Sequence, residues 1–350
     1  MTGSSSARAY GRAVTPQPLE GVRVLDLTTF LSGPYAAMVL GQLGAEIVKV
    51  EPPTGDPTRG GQPVSDSDFW IALHRGRRSV VLDLKQRGDH ARLLEMVPGF
   101  DVVLDNARPG VMERLGLGVD VLRVAHRAII TCSITGYGPG GSEAPAIDGV
   151  IQASTGAFDL PAAFGQPPGP IPMQIADLAG GTAASQAILA ALYRRARTGE
   201  GTHISIALTD AVLPWLSIVD RSGTTRSPGT IVATGSDGRR FLVQAPMHFK
   251  ERLARLLGLD HEPTEEYAQT VRARLATRPA GEWLRVLAAE GIPAAEVRSY
   301  DEALAAPEAA TDVVGDRRVP ASPFVFDGTR CASSAPPPAL GQHTDELLGS

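Results

Sequence analysis

Residues 171–198 read IPMQIADLAGGTAASQAILAALYRRART, and a single acid, Asp177, stands where their character changes. It follows a short apolar run and precedes Gly180, Gly181 and an Ala-rich helical pattern. That pattern spans about 178–197 and stops at Gly199, glycine being the usual residue just past a helix end. A carboxylate at the start of a long helix is stabilised by free backbone N–H groups and by the helix dipole. Such an acid caps its helix, as Asp commonly does, or is held there ionised and aimed for chemistry. Four arginines suggest what the chemistry would act on. Arg77, Arg78, Arg108 and Arg114 all fall in loops close to predicted strands, the places where open parallel sheets bind ligands. One exposed arginine is as readily a solvated surface residue. Four in such loops favour an anionic ligand, because guanidinium pairs phosphate oxygens bidentately.

The elements that must position these residues alternate between strand and helix. The run 21–27 (GVRVLDL) reads as a buried strand, residues 35–43 as an Ala/Leu-rich helix ended by Gly44, and 45–50 as the next strand. A β-α-β unit of this kind implies a parallel, right-handed crossover. Further strands are expected at 80–84, 101–104, 128–133 and 203–208, with helices near 88–96 and 209–219. Residues 1–17 read as a disordered lead-in. The Gly/Ser/Pro-rich stretch 221–230 reads as a linker. Beyond it lie a hairpin around Ser236-Asp237-Gly238, helices at 247–257, 265–277 and 280–290, and a strand at 294–297. The fold class is therefore α/β: a large Rossmann-like domain with a parallel sheet over 18–225, and a small α+β domain over 226–310. The Pro-rich, mostly extended segment 311–350 is expected to return to the large domain.

Composition sets bounds. The 350 residues carry 33 Lys+Arg against 38 Asp+Glu, a net charge of -5 with a pI near 5.8. That balance argues against a nucleic-acid partner, which calls for a basic face. No apolar run approaches the length of a membrane span, and the N-terminus lacks a signal-peptide core, so the expected location is cytoplasmic. The two cysteines, Cys132 and Cys331, have no metal-ligand spacing and read as reduced buried thiols; no metal is expected. The turn TTFLSGPYAAM after the first strand lacks G-x-G-x-x-G, so no nicotinamide cofactor is expected either.

The motifs together resemble the class III CoA-transferases of the CaiB/BaiF type. This family includes formyl-CoA and carnitine-CoA transferases and is related to alpha-methylacyl-CoA racemase. The resemblance covers roughly residues 19–348. Its anchors are GVRVLDLTTFLSGPYAAMVLGQLGAEIVKVEPP with Gly55, Asp56 and Arg59, then RGRRSVVLDLK, NARPGVMERLGLG, SITGYGPGG, DLAGG with RRARTGEG, and LGQHTDELL. It implies a two-domain fold, an interlocked homodimer, and acyl-CoA and a carboxylic acid as substrates, with coenzyme A as the carried group. Asp177 matches the catalytic aspartate, which forms an anhydride and then an aspartyl-CoA thioester. Lys49, Arg77, Arg78, Asn106, Arg108, Arg114 and Tyr137 match motifs that bind coenzyme A. Gly180 and Gly181 would let backbone N–H groups approach the oxyanion.

The chain also departs from parts of the family. Racemase members carry a His just before an acid in the segment ahead of the catalytic Asp; here Ile147 precedes Asp148. No acid stands at Ala245-Pro246-Met247, where the racemases' small-domain Glu would fall. Racemisation needs groups that exchange a proton on two faces of a carbon, so transfer is the favoured reading and racemase the alternative. A catalytically altered CoA-binding subunit is the non-enzyme alternative. The Gln of oxalate and formate transferases would align near Leu31, which speaks against an oxalyl substrate. Their glycine-rich loop has no counterpart around 241–250.

Overall fold

The structure, a computed structural model, describes residues 17–349 apart from 63, 66, 164, 220–229, 260–264 and 332–334. The expected lead-in, except residue 17, and the expected linker, except residue 230, lie outside the described residues. The chain divides into two compact units. The larger takes the chain up to Phe158, Pro170–Ser217 and Ala310–Ser350; the smaller takes Asp159–Gly169 and Ile218–Ala309.

In the larger unit β1 (Arg23–Asp26) leads into α1 (Ser32–Gln42), β2 (Glu46–Glu51), α2 (Asp68–His74), β3 (Arg78–Val81) and α3 (Arg87–Met96). There follow β4 (Val102–Asp105), the short α4 (Val111–Arg114) and α5 (Val119–Ala125), β5 (Ile130–Thr135) and α6 (Asp148–Ser154). After α7 (Leu160–Ala163), which lies in the smaller unit, come α8 (Ile175–Thr198), β6 (Thr202–Ala207) and α9 (Leu208–Ser217). The six strands form one parallel sheet in the order β3-β2-β1-β4-β5-β6. Strand order reverses between β1 and β4, and the loops leaving their carboxyl ends splay apart there to make a crevice.

Valine, leucine and isoleucine fill the middle strands because helices cover both faces. Leu25, Val48, Val80 and Val103 pack with Leu93 of α3, Leu122 of α5 and Phe100. On the other face α1 and α8 lie against each other. Their backbones approach so closely that a Cβ on Gly181 would sit 2.4 Å from Ser32 O, so only glycine fits there. At Gly180 a Cβ would meet the side-chain end of Leu208 of α9, at 2.3 Å from its Cδ2. Among described helices α8 alone has the length and hydropathy of a membrane span; here its apolar side packs on the sheet, with Ala184 and Ile188 fully buried.

The smaller unit has its own core. Strands β7 (Thr230–Thr234), β8 (Arg240–Gln244) and β9 (Ala294–Glu296) form an antiparallel sheet. Helices α10 (Met247–Leu257), α11 (Glu265–Leu275) and α12 (Ala280–Ala289) bury Leu253, Val271 and Leu287 with Phe241 and Val243, and α13 (Tyr300–Ala305) ends the unit. The terminal segment is not wholly extended. It forms two hairpins, β10 (Thr311–Val314) with β11 (Arg317–Pro320) and β12 (Val325–Phe326) with β13 (Thr329–Arg330), and then α14 (Thr344–Leu348). It lies along the β3 edge, where Val81 N donates to Thr344 Oγ1 at 3.0 Å and Gly341 N donates to Ser79 Oγ at 2.9 Å.

Candidate active site

Loops after β1, β4 and β5 and the first turn of α8 surround one cavity of ≈ 610 Å³ at the switch point. Asn106 ties the first two loops together. Its Oδ1 accepts from Thr29 N at 2.9 Å, and its Nδ2 donates to Thr29 O at 2.8 Å and to Ser32 Oγ at 3.4 Å. Beneath that junction Asp26 accepts from Thr28 N at 2.9 Å, and the buried Lys49 ammonium donates to Thr28 O at 2.6 Å. The loop that delivers Ser32 to the cavity is thus held from both sides.

Asp177 opens into this cavity, but it is not a helix cap. The helix begins at Ile175, two residues earlier, with Gln174 in the cap position making no side-chain cap bond. The cap comes from another element. Asp148, at the start of α6, accepts from Ala176 N at 2.9 Å and from Asp177 N at 3.2 Å through one oxygen, while Gln152 donates to the other. Gln152 also donates to Met173 O at 2.9 Å, fastening the chain that leads into α8. The Asp177 carboxyl is free of the backbone. Burial first, and the like charge of Asp148 second, push it up to about 6, against a hydrogen bond from Ser32 that lowers it. At neutral pH it is an ionised carboxylate, poorly hydrated and facing an open cavity.

The other expected site residues fall into two groups. Asn106, Arg108 and Tyr137 line the cavity with Asp177. Arg114, on α4, is exposed, its guanidinium close to Gly110, and neither it nor Arg108 has an acid partner among the described residues. Arg77 and Lys49 are not presented to the cavity. Arg77, 5% exposed, pairs with Asp26 at 2.7 Å and donates to Pro34 O; Lys49, 1% exposed, pairs with Asp56 at 2.9 Å. Strand β2 places Lys49 inward, and the turn entering β3 does the same for Arg77, where only a matching acid makes burial tolerable. Their geometry makes them supports of the β1 loop. Arg78 is half-buried and is shared between Glu46 at 3.0 Å and Glu346 of α14 at 2.6 Å. Gly180 and Gly181 lie in the second turn of α8, where each amide is committed to the carbonyl four residues back. They serve helix packing and have no N–H free for an oxyanion.

Sequence reading missed Ser32 and the capping role of Asp148. The one available signal was an acid opening a helical stretch after the Gly/Pro-rich loop 136–145. It also missed Asp105, which lines an adjoining cavity of ≈ 270 Å³ that shares the 107–109 wall. Burial pushes Asp105 up to about 6 despite hydrogen bonds from Ser133 Oγ at 2.6 Å and Ala107 N at 3.1 Å, with Glu113 adding to the rise. Among the described residues no three His, Cys, Asp or Glu side chains converge as a metal site.

Comparison with known proteins gives the setting of this geometry. Residues 19–344 match the family described as CoA-transferase family III. An acetyl-CoA:oxalate CoA-transferase of Acetobacter aceti is 32% identical over 353 residues, covering 89% of this chain and 87% of the relative. A probable fatty acyl-CoA transferase of Mycobacterium tuberculosis is 31% identical, covering 95% and 98%. A crystal structure of a CaiB/BaiF family protein from Brucella suis aligns with a TM-score of 0.84 at 27% identity, covering 95% of this chain and 99% of that one. With a 3-2-1-4-5-6 parallel sheet, an acid at its switch point and a match along nearly the whole chain, the protein belongs to CoA-transferase family III.

Proposed function

We propose that the chain moves coenzyme A from an acyl-CoA to a free carboxylic acid through covalent intermediates on Asp177. The observation that carries this reading is the Asp177 carboxylate itself. It is desolvated enough to be raised to about 6, yet ionised at neutral pH, and it faces the cavity without a cation beside it. A carboxylate of that kind is a nucleophile held away from the water that would hydrolyse its products.

The steps balance without net proton transfer. Asp177 attacks the thioester carbonyl; the C–S bond breaks and CoA leaves as thiolate, giving a mixed anhydride. The thiolate then attacks the Asp177 carbonyl, releasing the donor acid as carboxylate and leaving an aspartyl-CoA thioester. The acceptor carboxylate attacks that thioester, and the same steps in reverse give the new acyl-CoA and free Asp177. Arg108 and Arg114 suit the phosphates of coenzyme A, being exposed guanidiniums with no competing acid among the described residues. Ile147, 70% exposed on the cavity wall, has no group that could exchange a proton with a substrate carbon, which favours transfer over racemisation. The reading includes a homodimer, which the solution mass would test. It is supported by Leu213 and Trp215, which α9 turns outward. It also places the enzyme in a reducing cytoplasm, in keeping with the free buried Cys132 and Cys331.

The test is chemical trapping. The protein is incubated with an acyl-CoA, quenched with hydroxylamine or borohydride, and mapped by mass spectrometry. An adduct at Asp177, absent in Asp177→Asn, is expected. An adduct at another residue, or none while acyl-CoA is consumed, would overturn the reading.

A further inference from the structure

The cavity beside Asp177 is unusual in what it leaves exposed. Phe30 is 59% exposed and Ile147 70% exposed, and both line this cavity from different loops. Phe30 is held at φ 62, a left-handed conformation that costs a bulky residue free energy and that the surrounding structure must impose. Loop geometry is therefore spent on presenting an aromatic ring to the cavity. Ile134 and Leu208 continue the apolar wall.

The charges in the same cavity have the opposite sense to what a second carboxylate requires. Its acids are Asp148 and Asp177, and Arg108 is the one cation among its described lining residues. Lys49 and Arg77, the nearby buried cations, are closed off by their pairs with Asp56 and Asp26. If Arg108 serves the phosphates, a distal carboxylate entering the cavity would lose water and meet two acids with no partner.

We infer that the acid exchanged at Asp177 is a monocarboxylic acid with an apolar chain or ring, clasped by Phe30 and Ile147. This rests on the transferase reading and goes on to fix its substrate class. Apolar acyl groups gain by covering two exposed apolar side chains, whereas dicarboxylic ones forfeit hydration of their second charge.

The test uses the full chain and a panel of CoA thioesters, hexanoyl- and phenylacetyl-CoA against succinyl- and glutaryl-CoA, with acetate as acceptor. Transfer rate and trapped Asp177 adduct are both read. The expectation is a kcat/KM at least about tenfold higher for the apolar donors, the scale that pocket contacts provide. Phe30→Gly, which removes the ring and relieves the left-handed strain, should narrow that ratio severalfold while CoA binding stays unchanged. Ile147→Arg should raise succinyl-CoA relative to hexanoyl-CoA. Preference for the dicarboxylic donors would overturn the inference and leave the transferase reading standing. Equal loss for all donors in Phe30→Gly, with weaker binding of free CoA, would also overturn it by assigning the ring to the pantetheine arm. No Asp177 adduct from any donor would sink the transferase reading and the inference with it.

Discussion

Two groups of charged side chains sit at the same sheet, and they are built on opposite rules. Under β1–β3, Asp26, Glu51 and Asp56 face Arg77, Arg59 and Lys49 in three buried pairs at 2.6–2.9 Å. Burial raises Glu51, and its bonds to Arg59 and Ser79 with the charges around it outweigh that, holding it below the ordinary carboxylate range. His74 lies among them with neither ring nitrogen bonded; burial and then the charges of Arg77, Lys49 and Arg59 keep it neutral. At the switch point the balance is reversed. Asp177 and Asp148 face one another with only hydroxyl, amide and N–H groups between them and the protein. A region whose charges are all matched is scaffold. A region where an acid is left short of partners stores free energy for chemistry.

Removing one partner of a matched pair should have the largest effect. Arg77→Met leaves Asp26 buried and uncompensated and should cost about 3–5 kcal/mol in urea denaturation. The double variant Arg77→Met, Asp26→Leu should recover much of this. A loss below about 1 kcal/mol for the single variant would erase the distinction between the two regions.

Asp177→Asn should act in the opposite direction on stability. Its folded value of about 6 lies above the ordinary 3.8, so the stability it contributes is present in full below the unfolded value and is lost as pH rises through about 6. The variant should therefore be more stable than the parent at pH 8, by on the order of 1–3 kcal/mol, since the group keeps some solvent. The two should converge near pH 4. Equal melting curves at both pH values would show that the carboxylate is not strained by its site.

The smallest effect concerns the pH profile. On the proposed mechanism transfer needs ionised Asp177, so kcat/KM should fall as pH drops through about 6. Asp148→Asn keeps an oxygen to cap α8 and removes the like charge, and should move that limb modestly lower. Burial, the larger cause, remains, so the limb should stay above the ordinary value of 3.8. An unmoved limb would leave Asp148 as a cap with no electrostatic part.

Much of the frame is legible in the sequence. The expected strands at 45–50, 101–104 and 203–208 and the helix at 88–96 appear within a residue or so of β2, β4, β6 and α3, because apolar runs bounded by Gly, Pro or Asp leave few other folds. The short α4, α5 and α6 were not foreseen, being too brief for a period to show. Asp177, Asn106, Arg108 and Tyr137 do gather at one cavity. Lys49 and Arg77 do not, since a cation reads the same in a sequence whether its partner is a buried acid 7 or 51 residues away or a ligand.

What the sequence by itself determined is local and ordered: which runs are strands, that a long helix lies at the Asp177 stretch and ends before Gly199, and a string of motifs in the order of one family. The tertiary structure decided the assignments between elements. It made Asp148 of α6 the cap of α8, used Gly181 to bring α1 within reach, and so placed Ser32 at the Asp177 carboxyl. Capping, close approach and desolvation depend on distances between segments far apart in the chain. One-dimensional order cannot encode them until packing has chosen which acid stays unpaired.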